Sequence, residues 1–113
     1  MMVQNLQVFG NTDNTLTLYA RNVNNAVQNL TGLTLNWRVG FSPEDPDNTS
    51  PLFTKTGTIV SASAGTFTVA IVADDTEFMR GDYTHDAVTT DGSGNQAVVT
   101  TGRFRVIQIV AST

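Results

Sequence analysis

The chain has 113 residues, of which 40% are hydrophobic and only 14% charged, with a net charge of −4. That length suits a single domain over residues 1–113 with a real core, and the acidic balance counts against a nucleic-acid partner, which would call for a basic patch. There is no Cys and one His, which excludes disulfides, cysteine–zinc and iron–sulfur sites, thiol catalysis and an all-histidine metal site.

Charge is replaced mainly by 18 Thr and 10 Asn, residues that favour strands and turns respectively. The opening Met1–Asn5 has neither a basic nor a continuous apolar region, so no secretory signal is expected. No stretch approaches the roughly 20 apolar residues of a spanning helix, so no membrane partner is expected either.

In chain order, Gln4–Phe9 reads as an opening strand. Thr15–Ala20 is a second, with Leu16 and Leu18 on one face. Asn22–Thr31 is an Asn-rich connection. Leu33–Phe41 carries the clearest period-2 pattern: Leu33, Leu35, Trp37, Val39 and Phe41 point one way, Thr34, Asn36, Arg38 and Gly40 the other. Ser42–Pro51 holds all three prolines and three acids and reads as a surface loop. Weaker strands are expected at Leu52–Thr56 and Thr58–Val60, and a strong one at Thr66–Val72 with Phe67, Val69 and Ile71 inward. Asp74–Met79 suits one helical turn with an Asp as its N-cap. Asp82–Thr90 and Gln96–Thr101 flank Asp91-Gly92-Ser93-Gly94-Asn95, a good hairpin loop, and Arg103–Val110 forms the last strand. Seven to eight short strands separated by turn signals predict an all-β, immunoglobulin-like antiparallel β-sandwich with Trp37 at its centre.

Few residues suggest chemistry. His85 could serve a Ser–His–acid triad with Asp86, but neighbours on a strand point to opposite faces and no G-x-S-x-G elbow is present. A packing or surface role on the strand fits it better. Glu44, Asp45 and Asp47 share one loop and Asp74, Asp75 and Glu77 another. Calcium draws its oxygens from such loops, yet the EF-hand spacing is absent and solvated turn residues explain both groups. Arg80-Gly81-Asp82 spells an integrin-type tripeptide in what is also an ordinary turn. Asn29-Leu30-Thr31 and Asn48-Thr49-Ser50 match the glycosylation sequon, as chance allows in an Asn/Thr-rich chain. A carbohydrate- or host-surface-binding module would need an exposed aromatic in the loops 42–51 or 91–95, and only Phe41 and Phe53 lie at their margins. No catalytic residue, metal site or cofactor is expected.

The last strand is the anomaly. Phe104, Val106 and Val110 share one face, while the other runs from Arg103 and Arg105 to Ile107 and Ile109. A strand that becomes apolar on both faces wants cover on both. Either the N-terminal segment Met1–Val8 supplies it or a second protein does, and Ile107 and Ile109 are the interaction residues expected in the second case.

The order of motifs resembles an immunoglobulin-like structural domain of tailed bacteriophages, known best as the N-terminal domain of baseplate upper proteins. Asn29-Leu30-Thr31-Gly32 before the Trp37 strand, Gly65-Thr66-Phe67-Thr68-Val69, Asp75-Thr76 with Gly81-Asp82-Tyr83, and Gly102-Arg103-Phe104-Arg105-Val106 follow that family's pattern. After the Tyr, His85 and Ala87 stand where members often carry aromatic or aliphatic residues. The resemblance spans residues 15 to 108 and implies a non-enzymatic virion component, made in the bacterial cytoplasm. It would act as a tail or baseplate adaptor, or as a capsid decoration (cement) protein. Its partners would be other virion proteins and further copies of itself.

Overall fold

The computed structural model describes residues 1–41 and 51–108. Among them lie nine strands: β1 (Met2–Val3), β2 (Leu6–Phe9), β3 (Asn14–Tyr19), β4 (Thr34–Gly40), β5 (Phe53–Thr56), β6 (Thr58–Ser61), β7 (Thr66–Ile71), β8 (Gly81–Thr90) and β9 (Gln96–Ile107). They form a β-sandwich of the immunoglobulin type. One sheet runs β1-β9-β8-β4-β5 with β2 also on β9, and the other runs β3-β7-β6.

Alternating residues build the core. Leu35, Trp37 and Val39 of β4 face Leu18 of β3 and Phe67, Val69 and Ile71 of β7, all of them buried. Trp37 is fully enclosed, with edge-on contacts to Phe53 and Phe104 at ring-centre distances of 5.8 and 5.5 Å. That geometry is the favoured one for aromatic pairs. The chain changes sheets between β5 and β6 at Gly57, where a Cβ would come within 2.9 Å of Leu35 and 3.1 Å of Phe67. A glycine is therefore needed for the crossing to lie flat on the core.

The expected strands appear within one or two residues, with three differences. The opening segment is two strands, β1 and β2, and both pair in parallel with β9, so the larger sheet is mixed. The two strands expected after residue 96 are one, because β9 continues through Gly102. It pairs with β8 along its length, with one bulge in which Val99 has no partner between Val98↔Val88 and Thr100↔Ala87. The helical turn is a 3-10 turn at Ala73–Asp75 whose cap position is Val72 and not an Asp. Its free N–H groups are met by carboxylates: Ala73 donates to Asp13, from the segment before β3, at 2.8 Å, and Val72 donates to Asp75 of the turn itself at 2.9 Å.

Parallel pairing of the N-terminal strands fixes the geometry of one flank. In the constant-type immunoglobulin arrangement the first strand lies beside the second, in the sheet that here holds β3. In this chain it lies beside the last strand instead. β3 is therefore an edge, and β9 is not.

Candidate functional site

β8 carries Tyr83, His85, Ala87 and Thr89 on its inner face, opposite Val39, Trp37 and Leu35 of β4. Tyr83 sits two residues before His85 at the start of the strand, and its hydroxyl accepts the Arg80 N–H at 3.1 Å. That is the tyrosine corner of immunoglobulin domains, in which the second Cys follows the Tyr by two residues. His85 occupies that Cys position.

His85 is 1% exposed. Its Nδ1 accepts the indole N–H of Trp37 at 3.0 Å, and its Nε2 lies 2.6 Å from the carbonyl oxygen of Gln4. Indole is only a donor and a carbonyl only an acceptor, so the ring must be neutral with its proton on Nε2. Burial pushes the imidazole below its ordinary value of 6.5, against the opposing pull of the Gln4 carbonyl and the Asp86 charge. A second proton would set an N–H of His85 against the Trp37 N–H.

The sign of the pH effect follows. Below 6.5 the unfolded chain binds a proton that the folded chain refuses. The stability His85 contributes is complete above that pH and is lost as pH falls below it. Urea midpoints should therefore drop between about pH 7 and pH 5, and His85→Gln should flatten that slope. A variant that keeps the wild-type slope would assign the effect to the carboxylates.

Gln4 links this core to the flank. It stands in the break between β1 and β2, in register with Gly102. Its N–H still bonds to Thr101 at 2.8 Å, but its carbonyl turns inward to His85. Asn5 replaces the missing ladder bond by accepting the Arg103 N–H through its side chain at 3.0 Å. The Gln4 side chain crosses to the other sheet, donating to Thr17 O at 2.9 Å and accepting from Tyr19 N at 3.3 Å. Thr100 adds a second bridge, its hydroxyl donating to Tyr19 O at 2.6 Å.

No family model matches the chain, and no curated protein matches it. Among solved structures it is similar to AggA, the major subunit of aggregative adherence fimbriae type I from Escherichia coli. Identity is 12% and the TM-score 0.31, over 94% of this chain and 90% of that one. A likeness at that level says nothing of function.

The other residues singled out from the sequence are placed as follows. Asp86 points away from His85 and pairs with Arg38 on the outer face, through bonds of 2.7 and 2.8 Å. Asp82 of the Arg-Gly-Asp tripeptide pairs with Arg105 at 2.7 Å, and Gly81 takes φ +89° at the turn into β8. Asn29 closes a turn by accepting the Thr31 N–H at 2.9 Å. Asp75 pairs with Lys55 at 2.7 Å, and no group of three or more metal-ligating side chains occurs among the described residues. Glu44, Asp45, Asp47 and Asn48 lie outside the described residues.

Phe53 packs on Trp37 and Phe104, and Phe41 lies 6.2 Å from Tyr83, so neither is a free loop aromatic. The exposed one is Phe78, 90% accessible in the loop before β8. Ile107 is half-buried on the outer face and pairs in register with Phe9, itself 55% exposed. The N-terminal strands lie beside Ile107 in the plane of the sheet and not over it. Ile109 and Val110 lie outside the described residues.

Proposed function

We propose that this domain is a non-enzymatic structural component of a tailed-bacteriophage virion, an adaptor on the tail or baseplate side or a decoration of the capsid. The observation that supports it most is the fate of His85. The side chain best suited to acid–base chemistry is sealed in the core with both nitrogens engaged, as a framework residue. The motifs behind the phage resemblance also take framework places. Asn29–Gly32 turns into β4, Gly65 opens β7, Gly81–Tyr83 forms the corner of β8, and Gly102–Val106 lies in β9. What faces outward at the β2 and β9 ends is apolar: Phe9, Phe78 and Ile107.

Mass spectrometry of purified virions from the source phage tests the class; the protein's absence from mature particles would refute it. A second expected result concerns the apolar end. Replacing Ile107 and Ile109 with Asp should prevent attachment to the particle while the circular dichroism melt of the Trp37 core stays close to wild type. An unfolded double variant would mean that these residues serve the domain's own stability and not docking.

A further inference from the structure

We propose that Phe78 is the anchor by which this domain docks on another virion protein, and that the partner offers it an apolar pocket with a basic rim. This rests on the virion reading and names the attachment point within the apolar end.

The ring is held out in solvent by a backbone pinned on both sides of it. Thr76 and Met79, two residues before and one after, are buried at 0% and 8% exposure. The Thr76 hydroxyl accepts the Asn11 N–H at 3.0 Å, and its carbonyl accepts the Met79 N–H at 3.1 Å. The Gln108 side-chain amide donates to the Met79 carbonyl, and the Arg80 N–H donates to the Tyr83 hydroxyl at 3.1 Å. With residues 76 and 79 turned inward, Glu77 and Phe78 between them turn out, and Phe78 is 90% accessible. A backbone already fixed loses little freedom on binding, which favours affinity. Aromatic residues are enriched in interfaces, and a few buried anchors carry most of the binding energy.

The same bonds place the ring at the apolar end of the larger sheet. Asn11 follows Phe9 by two residues and is tied to Thr76, and Gln108 follows Ile107 and is tied to Met79. Phe9 and Ile107 pair in register there. Phe78 is the most exposed apolar side chain of the three, so it is the one with most surface to gain by burial.

The charges around the ring decide the chemistry of the partner. Asp74 and Glu77 are exposed on its own segment, and Asp13 is tied to that segment by the Ala73 N–H. These three carboxylates make no ion pair among the described residues, whereas Asp75 is neutralised by Lys55. Arg80 is the one cation between residues 74 and 80, so the corner stays negative. A second copy would bring the same acids and its own net charge of −4 to the contact, and like charges set against each other are costly. A pocket rimmed by Lys or Arg complements both the ring and its acids.

Phe78→Ala should weaken attachment at least about 30-fold, the fold-change of an interface hot spot, so that quantitative mass spectrometry of purified virions finds the protein depleted. The circular dichroism melt of this variant should match wild type, since so exposed a ring adds little to the domain's own packing. Asp74→Asn/Glu77→Gln should weaken attachment less and flatten its dependence on salt. Wild-type protein missing from particles would refute the virion reading and the anchor with it. Phe78→Ala retained at the wild-type level would overturn the anchor alone and leave the virion reading standing. An early melt of Phe78→Ala would assign the ring to the domain's own stability and overturn the anchor as well. A double variant with the wild-type salt dependence would overturn the basic rim. A dimer of the purified chain in sedimentation, abolished by Phe78→Ala, would make the occupant a second copy and overturn the stated partner.

Discussion

Replacing Trp37 with alanine should lower the stability of the domain by about 3–5 kcal/mol, out of a total of about 5–15 for a domain of this kind. Trp37 has no exposed surface, touches Phe53 and Phe104 edge-on, and stands on β4 between β5 and β8. Its removal leaves a cavity that the two sheets cannot close without shifting register. It also strips His85 Nδ1 of its donor. Trp37→Phe separates the two effects, since it keeps most of the volume and loses only the N–H. An unsatisfied buried acceptor costs about 1–3 kcal/mol, so Trp37→Phe should fall clearly between wild type and Trp37→Ala in urea denaturation. A loss under about 1 kcal/mol for Trp37→Ala would be incompatible with a residue at the centre of the core.

The parts of the fold legible in the sequence are those written locally. Leu33–Phe41, Thr66–Val72 and Thr15–Ala20 alternate so regularly that β4, β7 and β3 appear within a residue or two, with the expected side chains inward. Asp91–Asn95 turns as its composition demands: Asp91 accepts from Ser93 and Asn95 N–H and holds Gly94 at φ +85°. Trp37 at the centre of the core was likewise readable as an immunoglobulin-like pattern, whereas the corner made by Tyr83 two residues before His85 emerges only with the Arg80 N–H on its hydroxyl.

Contacts between distant segments were not. Nothing near Gln4 says that its carbonyl meets a ring 81 positions later. The alternation Tyr83, His85, Ala87, Thr89 does indicate that His85 shares the inner face, yet its partners come from β4 and from the break between β1 and β2. Gly102 reads locally as an interruption between two strands. Its role appears only when Gln4 is seen to cross it, a close backbone approach that a strand glycine permits. Phe78 shows the converse. Its surroundings, Asp74–Met79, suit one helical turn, but the turn ends at Asp75 and leaves the ring in solvent.

The buried network also explains why a sandwich without disulfides can hold its flank closed. In antibody-type domains a disulfide spans the two sheets beside the Trp. Here His85 stands at one of the Cys positions and bonds to Trp37 on one side and Gln4 on the other, while Gln4 and Thr100 reach β3. The bridge between sheets is made of hydrogen bonds, which suits a chain with no Cys, but it depends on the N-terminal strand staying in place.

Gly102→Ala should break that dependence and cost about 2–6 kcal/mol. A Cβ at residue 102 would overlap the Gln4 carbonyl oxygen, lie 2.7 Å from the Gln4 carbonyl carbon and 3.1 Å from His85 Nε2. The atoms in the way are backbone, so no rotamer change relieves the clash. Either β9 bends or the N-terminal segment lifts, and overpacking of this sort costs about 1–3 kcal/mol. If the segment lifts, the His85 N–H loses its acceptor inside the core, which adds about 1–3 kcal/mol. The Gln4 amide then leaves Thr17 and Tyr19, and the Met2–Val3 pairing with Thr100–Thr101 goes with it. Amide exchange should therefore quicken at Gln4 and Tyr19 while Leu35–Val39 stays protected. The decisive comparison is a double-mutant cycle with a chain lacking residues 1–5, in which the Gln4 backbone is gone and only His85 Nε2 remains close to the new methyl group. There Gly102→Ala should cost clearly less than in the full chain, with the contact to His85 and the positive φ of +155° as what is left. An equal cost with and without the segment would place the effect in β9 itself and remove Gly102 from the account of how the flank is closed.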